Sequence, residues 1–149
     1  SALPLDPTTI SFSSVMIFAK NTRSSSRRFI PRTPAAFFDN KEMLLDSVTP
    51  LPLIDVVKAW HGRRPMSVGT GSESAIAEAL LAHLGLRHYF AAVVAADHVK
   101  QHKPAPDTFL LCAERMGVEP ERCVVFEDAD FGLQAAAAAG MDAVDVRLL

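Results

Sequence analysis

Apolar residues follow two different spacings along the chain from about residue 53 to its end. Four segments carry them at the spacing of an α-helix, and four short apolar runs bounded by glycine or polar residues lie between those segments. The predicted helices cover residues 53–60, 72–84, 106–116 and 133–139, and the predicted strands cover residues 65–69, 91–95, 123–126 and 143–146. Strands that alternate with helices in this way favour parallel β-α-β crossovers, so we expect an α/β fold with a parallel sheet.

The second predicted helix carries clear signals at both ends. Ser72 is a suitable N-cap residue, and Gly85 is a suitable residue just past the last turn. Helical spacing assigns this helix one apolar face, formed by Ala75, Ile76, Ala79, Leu80 and Leu84. We therefore predict that this face packs against the sheet.

Residues 1–40 differ in composition from the rest of the chain. They are rich in serine, threonine and proline and carry five basic and two acidic residues, whereas residues 41–149 carry ten basic and fifteen acidic residues. The strong strand candidate in the first segment is 15–19, and the remainder is predicted to be largely loop or disordered. An arginine- and serine-rich, acid-poor leader is also typical of organellar transit peptides, which is the alternative interpretation. A partial core domain is expected over residues 41–149.

Bulk composition narrows the class of protein. The chain has 149 residues, of which 49% are apolar, and a net charge of −2. One ordinary domain with a buried core is expected, and the net charge gives no reason to predict nucleic-acid binding. Cys112 and Cys123 indicate neither a disulfide framework nor a zinc site, so a reduced, cytoplasmic environment is expected. No apolar run reaches the length of a membrane span. Separately, we expect the protein to be a monomer.

Ligands of parallel sheets bind beyond the carboxyl ends of the strands, and three predicted strand ends carry chemically suggestive residues. Thr70, Gly71 and Ser72 follow the strand at 65–69. A hydroxyl group followed by backbone N–H groups at a helix N-terminus suits a phosphate. A capped helix after a tight turn is the simpler interpretation of the same three residues.

A basic loop follows the predicted strand at 91–95. Lys103 lies in the sequence His-Lys-Pro-Ala-Pro, in which the prolines stiffen the chain ahead of a helix. A lysine held in this way can neutralise a phosphate and the anion that attacks it. Lys100 is the competing candidate, and His98 and His102 are candidate ligands or acid–base groups. A solvated surface position is the simpler interpretation of each of these side chains.

Three carboxylates lie within four residues after the strand at 123–126, namely Glu127, Asp128 and Asp130. A hard cation such as Mg²⁺ would relieve their mutual repulsion, and it needs few protein oxygens. Acidic residues that meet the dipole of a helix N-terminus are the alternative, which describes Asp130 better than the two acids at the strand end. Asp128 and Glu127 are therefore the predicted metal ligands.

Three motifs of the haloacid dehalogenase superfamily have counterparts here, in the right order and at the right spacing: Thr70, Lys103 and Glu127-Asp128. The stretch from about residue 41 to 149 resembles the β-phosphoglucomutase-like branch of that superfamily. A closer similarity, to bacterial phosphatases that act on fructose 1-phosphate and 6-phosphogluconate, lies in residues 60–65 and 68–73. The resemblance implies a Rossmann-like core.

The resemblance also implies roles for individual residues. Thr70 would hydrogen-bond the substrate phosphate, Lys103 would hold the phosphate and the nucleophile, and Asp128 would bind Mg²⁺. Glu127 would be a metal ligand or would lie next to one. The implied activity is Mg²⁺-dependent hydrolysis of small sugar phosphates through an aspartyl-phosphate intermediate.

The sequence departs from the family in the motif that supplies the nucleophile. The motif Asp-x-Asp-Gly-Thr is absent, and the nearest substitute places Ala19 and Asn21 where the two aspartates would stand. Asp39 also follows an apolar run, but it lies too near the second motif. The family's helical cap does not fit before residue 41. We therefore expect the cap and the proper first strand to be missing, although residues 15–19 could fill the slot of that strand.

These departures decide the functional prediction. The chain is expected to be a truncated phosphatase of this family that is inactive or severely impaired. The alternative is a non-catalytic module that binds a phosphate or a sugar phosphate at Thr70 and Lys103. A third interpretation is a working phosphatase whose nucleophile comes from another carboxylate or from a partner chain.

Overall fold

The computed structural model describes residues 14–19 and 53–148, with side chains described from residue 55 onward. The strands are β1 (Ser14–Ala19), β2 (Met66–Thr70), β3 (Ala92–Val94), β4 (Cys123–Glu127) and β5 (Asp142–Asp145). The helices are α1 (Leu53–Trp60), α2 (Ser74–His83), α3 (Asp107–Met116) and α4 (Asp130–Ala138). Short 3-10 turns lie at Arg87–Tyr89, Ala96–His98, Pro120–Arg122 and Val146–Leu148. The predicted α/β class is confirmed, with most element ends shifted by one to three residues.

One five-stranded sheet has the order β3-β2-β1-β4-β5. The pairs β2–β3 and β4–β5 are parallel, as predicted, but β1 is antiparallel to both of its neighbours. The expectation of a parallel sheet is therefore wrong for this one strand, although the strand does occupy the central slot. An apolar run can complete a backbone ladder in either direction, and its composition does not encode which one.

The register of β1 fixes which of its ends lies near the ends of the other strands. Ser14 pairs with Thr70 at the carboxyl end of β2, whereas Ala19 pairs with Cys123 at the amino end of β4. Ile17 lies between Ser67 and Val125. The chain consequently runs through β1 away from the carboxyl ends of β2 and β4.

The sheet is covered on both faces. On one face, α1 and α2 bury apolar residues that include Val57, Trp60 and Leu81 against alternate residues of the strands. On the other face, α3 and α4 bury Phe109, Cys112, Ala135 and Ala136 among others. Neighbouring residues of β4 divide between the two faces, as the period of two in a strand requires. The fold is therefore a three-layer arrangement of helices around a central sheet.

Helix α2 differs from the prediction in its start and its buried face. Its N-cap residue is Glu73 rather than Ser72. The backbone N–H of Ser74 donates a hydrogen bond to Asp97 Oδ1 at 2.7 Å. Its buried residues are Ala77 and Leu81, while Ile76 is 60% exposed. Because alanine and leucine occupy nearly every side of this helix, the sequence offered little contrast from which to choose a face.

None of the helices in residues 53–148 has the length and apolarity needed to cross a bilayer. Within the first 40 residues the structure describes the six residues of β1, which confirms the strand candidate there. The predicted boundary near residue 40, and the loop predicted around β1, lie outside the described residues and stay predictions.

Candidate active site

The carboxyl ends of β2 and β4 bring together the three motifs that the sequence singled out. Thr70 is the last residue of β2, Glu127 is the last residue of β4, and Lys103 reaches toward both strands from the loop before α3. These three residues lie far apart in the sequence, but the sheet brings them together at one edge. The motif residues therefore form a single candidate site.

Thr70 is buried, and its side chain organises the turn that follows β2. Its Oγ1 accepts a hydrogen bond from the backbone N–H of Ser72 at 3.1 Å. Gly71 is exposed at the tip of this turn, and a Cβ there would contact nothing within 4 Å. By accepting the N–H of Ser72, the hydroxyl stabilises the turn ahead of α2.

Lys103 is held between two acceptors at the centre of the site. Its Nζ lies 3.3 Å from the carbonyl oxygen of Gly69 and 3.3 Å from Glu127 Oε2. The ammonium group also lies 4.9 Å from the ring centroid of Phe109. The side chain of the competing candidate, Lys100, is exposed to solvent. The geometry therefore selects Lys103 as the cation of this site.

Glu127 is a buried carboxylate with partners on both oxygens. Its Oε1 accepts the backbone N–H groups of Asp128 at 2.9 Å and Ala129 at 3.1 Å, and its Oε2 faces Lys103. Burial raises the pKa of this carboxyl above its ordinary value of 4.5, and the nearby charge of Lys103 opposes that shift. The two backbone bonds fix the orientation of the carboxylate, which in turn positions the ammonium group.

The sequence interpretation missed Gly132, which makes room for Glu127. Gly132 is buried in the first turn of α4, and a Cβ on it would overlap Oε2, Cδ and Cγ of Glu127. A glycine two residues after Asp130, the last of the three clustered carboxylates, inside a helix that glycine disfavours, was the available signal. Because residue 132 has no side chain, α4 can lie close to the Glu127 carboxylate.

Asp128 fits the role of a metal ligand, and Glu127 fits it less well. Oδ1 of Asp128 is buried and has no hydrogen-bond donor among the described residues, which is a suitable environment for a cation. The oxygens of Glu127 already accept from Lys103 and from two backbone N–H groups. No group of three potential ligands from His, Cys, Asp and Glu occurs within the part of the chain that the structure describes. Asp128 would therefore hold a cation such as Mg²⁺ together with oxygens from elsewhere.

The remaining candidates lie around the site in other roles. His98 Nδ1 accepts the N–H of Ala95 at 3.0 Å, so this histidine stabilises the loop after β3. His102 is exposed. Asp130 lies 2.7 Å from Arg147 in an exposed ion pair and does not join Glu127 and Asp128.

The direction of β1 changes the meaning of the substitute nucleophile motif. Ala19 lies at the amino end of β4, at the edge of the sheet opposite the candidate site. The alignment that placed Ala19 at the nucleophile position is therefore wrong. It is instead Ser14 that lies level with Thr70 at the site edge. Asn21 and Asp39 lie outside the described residues.

This edge of the sheet, with a threonine, a lysine and a pair of acids in fixed order, defines the class of protein. The haloacid dehalogenase-like hydrolase family model matches residues 33–140. The chain belongs to this family, and the resemblance seen in the sequence is confirmed.

Two curated relatives are phosphatases that act on phosphorylated carbohydrates. The chain is 87% identical over 109 residues to the fructose-1-phosphate phosphatase YqaB of Escherichia coli, an alignment that covers 73% of this chain and 58% of that protein. It is 34% identical over 103 residues to a phosphorylated carbohydrates phosphatase of Thermotoga maritima, which covers 69% and 47% of the two chains. The chain thus spans about half the length of these curated relatives.

A solved structure agrees with the fold. The β-phosphoglucomutase of Clostridium difficile is 30% identical, with a TM-score of 0.56 over 66% of this chain and 45% of that one. This similarity supports the Rossmann-like core that the motifs implied.

Proposed function

We propose that this chain carries the phosphate-binding and cation-binding side of a phosphatase for small sugar phosphates of the fructose 1-phosphate kind. We propose further that, as it stands, it hydrolyses them inefficiently or not at all. The observation that carries the proposal is the position of the half-buried Lys103, which lies between the Gly69 carbonyl in β2 and Glu127 at the end of β4. A fixed cation beside a threonine and a chain of backbone N–H groups is suited to a phosphate dianion.

In this proposal each residue has a defined task. The Thr70 hydroxyl and the N–H of Gly71 hold the phosphate oxygens, and Lys103 neutralises their charge. Ser72 stabilises the turn, because its N–H donates to Thr70 Oγ1. Glu127 keeps the ammonium group of Lys103 in place. Asp128 supplies a carboxylate oxygen to Mg²⁺, which members of the family generally use and which lowers the charge on the phosphate when it is bound.

The proposed loss of activity rests on the central strand. Catalysis in this family needs an aspartate nucleophile, and the sequence contains no Asp-x-Asp-Gly-Thr motif. The residue of β1 that lies level with Thr70 is Ser14, at the amino end of an antiparallel strand. Loss of a covalent nucleophile commonly costs several orders of magnitude in rate. Binding of the phosphate does not need that nucleophile.

The test separates binding from turnover in the same protein. Calorimetry with fructose 1-phosphate and Mg²⁺ should detect binding to the full chain, and a phosphate-release assay should detect little or no turnover. Lys103→Met should weaken binding at least about tenfold, because a charge-assisted contact is lost. Lys100→Met removes the same charge from the same loop and should leave binding unchanged.

Two outcomes would contradict parts of the proposal. Turnover that disappears in Asp128→Asn would show a working enzyme, with a nucleophile supplied by another carboxylate or by a partner chain. If Lys103→Met and Lys100→Met bound fructose 1-phosphate equally well, the proposed phosphate site at Lys103 would be contradicted.

A non-catalytic binding module is the second candidate, and the partnered state of the Lys103–Glu127 pair favours it. The pair is complete among the described residues without a nucleophile, with its two side chains 13% and 1% exposed. Tight sugar-phosphate binding without Mg²⁺, unchanged in Asp128→Asn, would favour a module over an impaired enzyme. Binding that requires Mg²⁺ and Asp128 would favour the enzyme.

A further inference from the structure

A second concave surface lies at the opposite edge of the sheet from the candidate active site. A cleft of about 360 Å³ is formed by the end of α1, the amino end of β2 and the turn before β3. Its side chains include His61, Arg63, Arg64, His88, Tyr89 and Phe90. Met66 in this cleft and Thr70 in the active site are four residues apart on β2, which corresponds to about 13 Å. The cleft is therefore a separate site.

The cleft is basic. Arg63 and Arg64 line it together with two histidines, and its lining within the described chain contains no carboxylate. Arg64 is held in place, because its Nη1 donates to the carbonyl oxygen of Arg63 at 2.9 Å and its guanidinium lies 5.8 Å from the Trp60 ring centroid. A guanidinium has five N–H donors in a planar fork that matches phosphate oxygens. The charge and the donors together favour an anion.

Three rings form one wall of the cleft. The centroids of His61 and Tyr89 are 4.9 Å apart with planes at 84°, and those of His88 and Tyr89 are 4.0 Å apart with planes at 36°. Tyr89 is half-buried against the core, while both histidines are exposed. Because the planes of His61 and Tyr89 are nearly perpendicular, a flat ligand can stack on one of these rings and contact the other ring edge to face.

The backbone of the cleft is fixed by the fold. Gly62 has a φ of +79°, a conformation that side chains other than glycine rarely adopt, and it turns the chain directly after α1. The N–H groups of Arg63 and Arg64 then both donate to the carbonyl oxygen of Trp60, at 2.9 and 3.2 Å. On the other side, the N–H of Ala91 donates to the carbonyl oxygen of Met66 at 2.8 Å. Main-chain hydrogen bonds therefore hold the backbone on both sides of the cleft.

We propose that this cleft binds a nucleoside monophosphate, with the base against His61 and Tyr89 and the phosphate on Arg63 and Arg64. The volume lies near the lower end of the range for small-molecule sites, about 300–1,000 Å³, which suits a single nucleotide. The arginines would bind the phosphate, and the aromatic wall would favour ligands that carry a flat ring. This site is independent of the function proposed for Thr70 and Lys103.

Calorimetry of the full chain with AMP tests the proposal. AMP should bind, ribose 5-phosphate should bind at least about tenfold more weakly for lack of the base, and adenosine should bind at least about tenfold more weakly for lack of the phosphate. Arg64→Gln should weaken AMP binding by about tenfold, and Tyr89→Leu should remove the preference for AMP over ribose 5-phosphate. Far-ultraviolet circular dichroism and a thermal melt would show that each variant is folded.

Two further variants locate the binding. Arg122→Gln removes one exposed positive charge outside the cleft and should leave AMP binding unchanged. Lys103→Met should also leave it unchanged, because AMP then does not use the active site. Absence of AMP binding, equal binding of AMP and ribose 5-phosphate, or loss of binding in Lys103→Met rather than in Arg64→Gln would overturn the proposal.

Discussion

The two edges of the sheet both present positive charge, but they hold it in different ways. At the carboxyl edge, Lys103 is 13% exposed and lies 3.3 Å from the buried carboxylate of Glu127. At the amino edge, Arg63 is exposed and Arg64 half-buried, and neither forms an ion pair with an acidic side chain among the residues that the structure describes. The charge of Lys103 is compensated by a carboxylate within the fold, whereas the charges of the two arginines have no carboxylate partner among the described residues.

The difference follows from the cost of burying charge. An ammonium group taken out of water needs a counter-charge that is itself hydrogen-bonded. The Glu127 carboxylate is that counter-charge, and it accepts two backbone N–H groups. Exposed guanidinium groups stay hydrated, so an ion pair would contribute little to stability. The carboxyl edge should therefore depend on the packing around it, whereas the amino edge should tolerate substitution and respond mainly in ligand binding.

The largest expected effect comes from breaking the strand on which both edges depend. Ile17→Pro removes a backbone donor at a position that lies between Ser67 and Val125. Proline in a central strand should lower the free energy of unfolding by more than about 3 kcal/mol. Urea denaturation followed by circular dichroism measures this change.

Ser14→Pro is the matched control, because proline is tolerated at the first residue of a strand. We expect that variant to retain most of the stability. Equal losses in the two proline variants would argue against the observed limits of β1.

A smaller change should disturb the carboxyl edge alone. Gly132→Ala places a Cβ where the Glu127 carboxylate lies, so the carboxylate must move away from Lys103. Overpacking of this kind should cost about 2 kcal/mol and should also weaken phosphate binding. Gly71→Ala is the control for stability, since a Cβ there has no neighbour within 4 Å. A stable Gly132→Ala protein with unchanged binding would show that Glu127 does not need this space.

The smallest effect is expected at Asp97, which holds the start of α2 from the loop after β3. The hydroxyl and N–H of Ser74 donate to this carboxylate at 2.5 and 2.7 Å and lower its pKa below the ordinary value of 3.8. Because the folded state favours the charged form, this stabilisation is present above pH 3.8 and is lost as the pH falls through the lower pKa of the folded state. Asp97→Asn should lack that part of the pH dependence.

Thermal melts of both proteins across the acidic range would measure the difference. Asp55→Asn, in the first turn of α1, removes an equivalent exposed charge and is the matched control. Identical pH profiles for the two asparagine variants would contradict the role given to Asp97.

The fold and the site differ in how far the sequence predicts them. Periodicity located the four α-helices in residues 53–148, because each has apolar residues at helical spacing and most end near a glycine such as Gly117, which has a φ of +69°. Thr70, Lys103 and Glu127 were predictable as neighbours, because parallel strands place their carboxyl ends at one edge. These inferences need local patterns and one rule of topology.

Other features depend on contacts that leave no local pattern. The direction of β1 is decided by a ladder whose partners lie far along the chain, so the alignment of Ala19 with the nucleophile was wrong. The start of α2 is held by Asp97 across the sheet edge, which made Ser72 a wrong choice of cap. Gly132 could be recognised as necessary only once the position of the Glu127 carboxylate was known.

The central position of β1 has a consequence for the order of folding. The pairs β2–β3 and β4–β5 each join segments that are near in sequence, whereas β2 and β4 are connected in the sheet through β1. Contacts between distant segments require a larger loss of chain entropy before they form, so they form late. We expect two half-sheets to assemble first and the insertion of β1 to be the slow step that joins them into one cooperative unit.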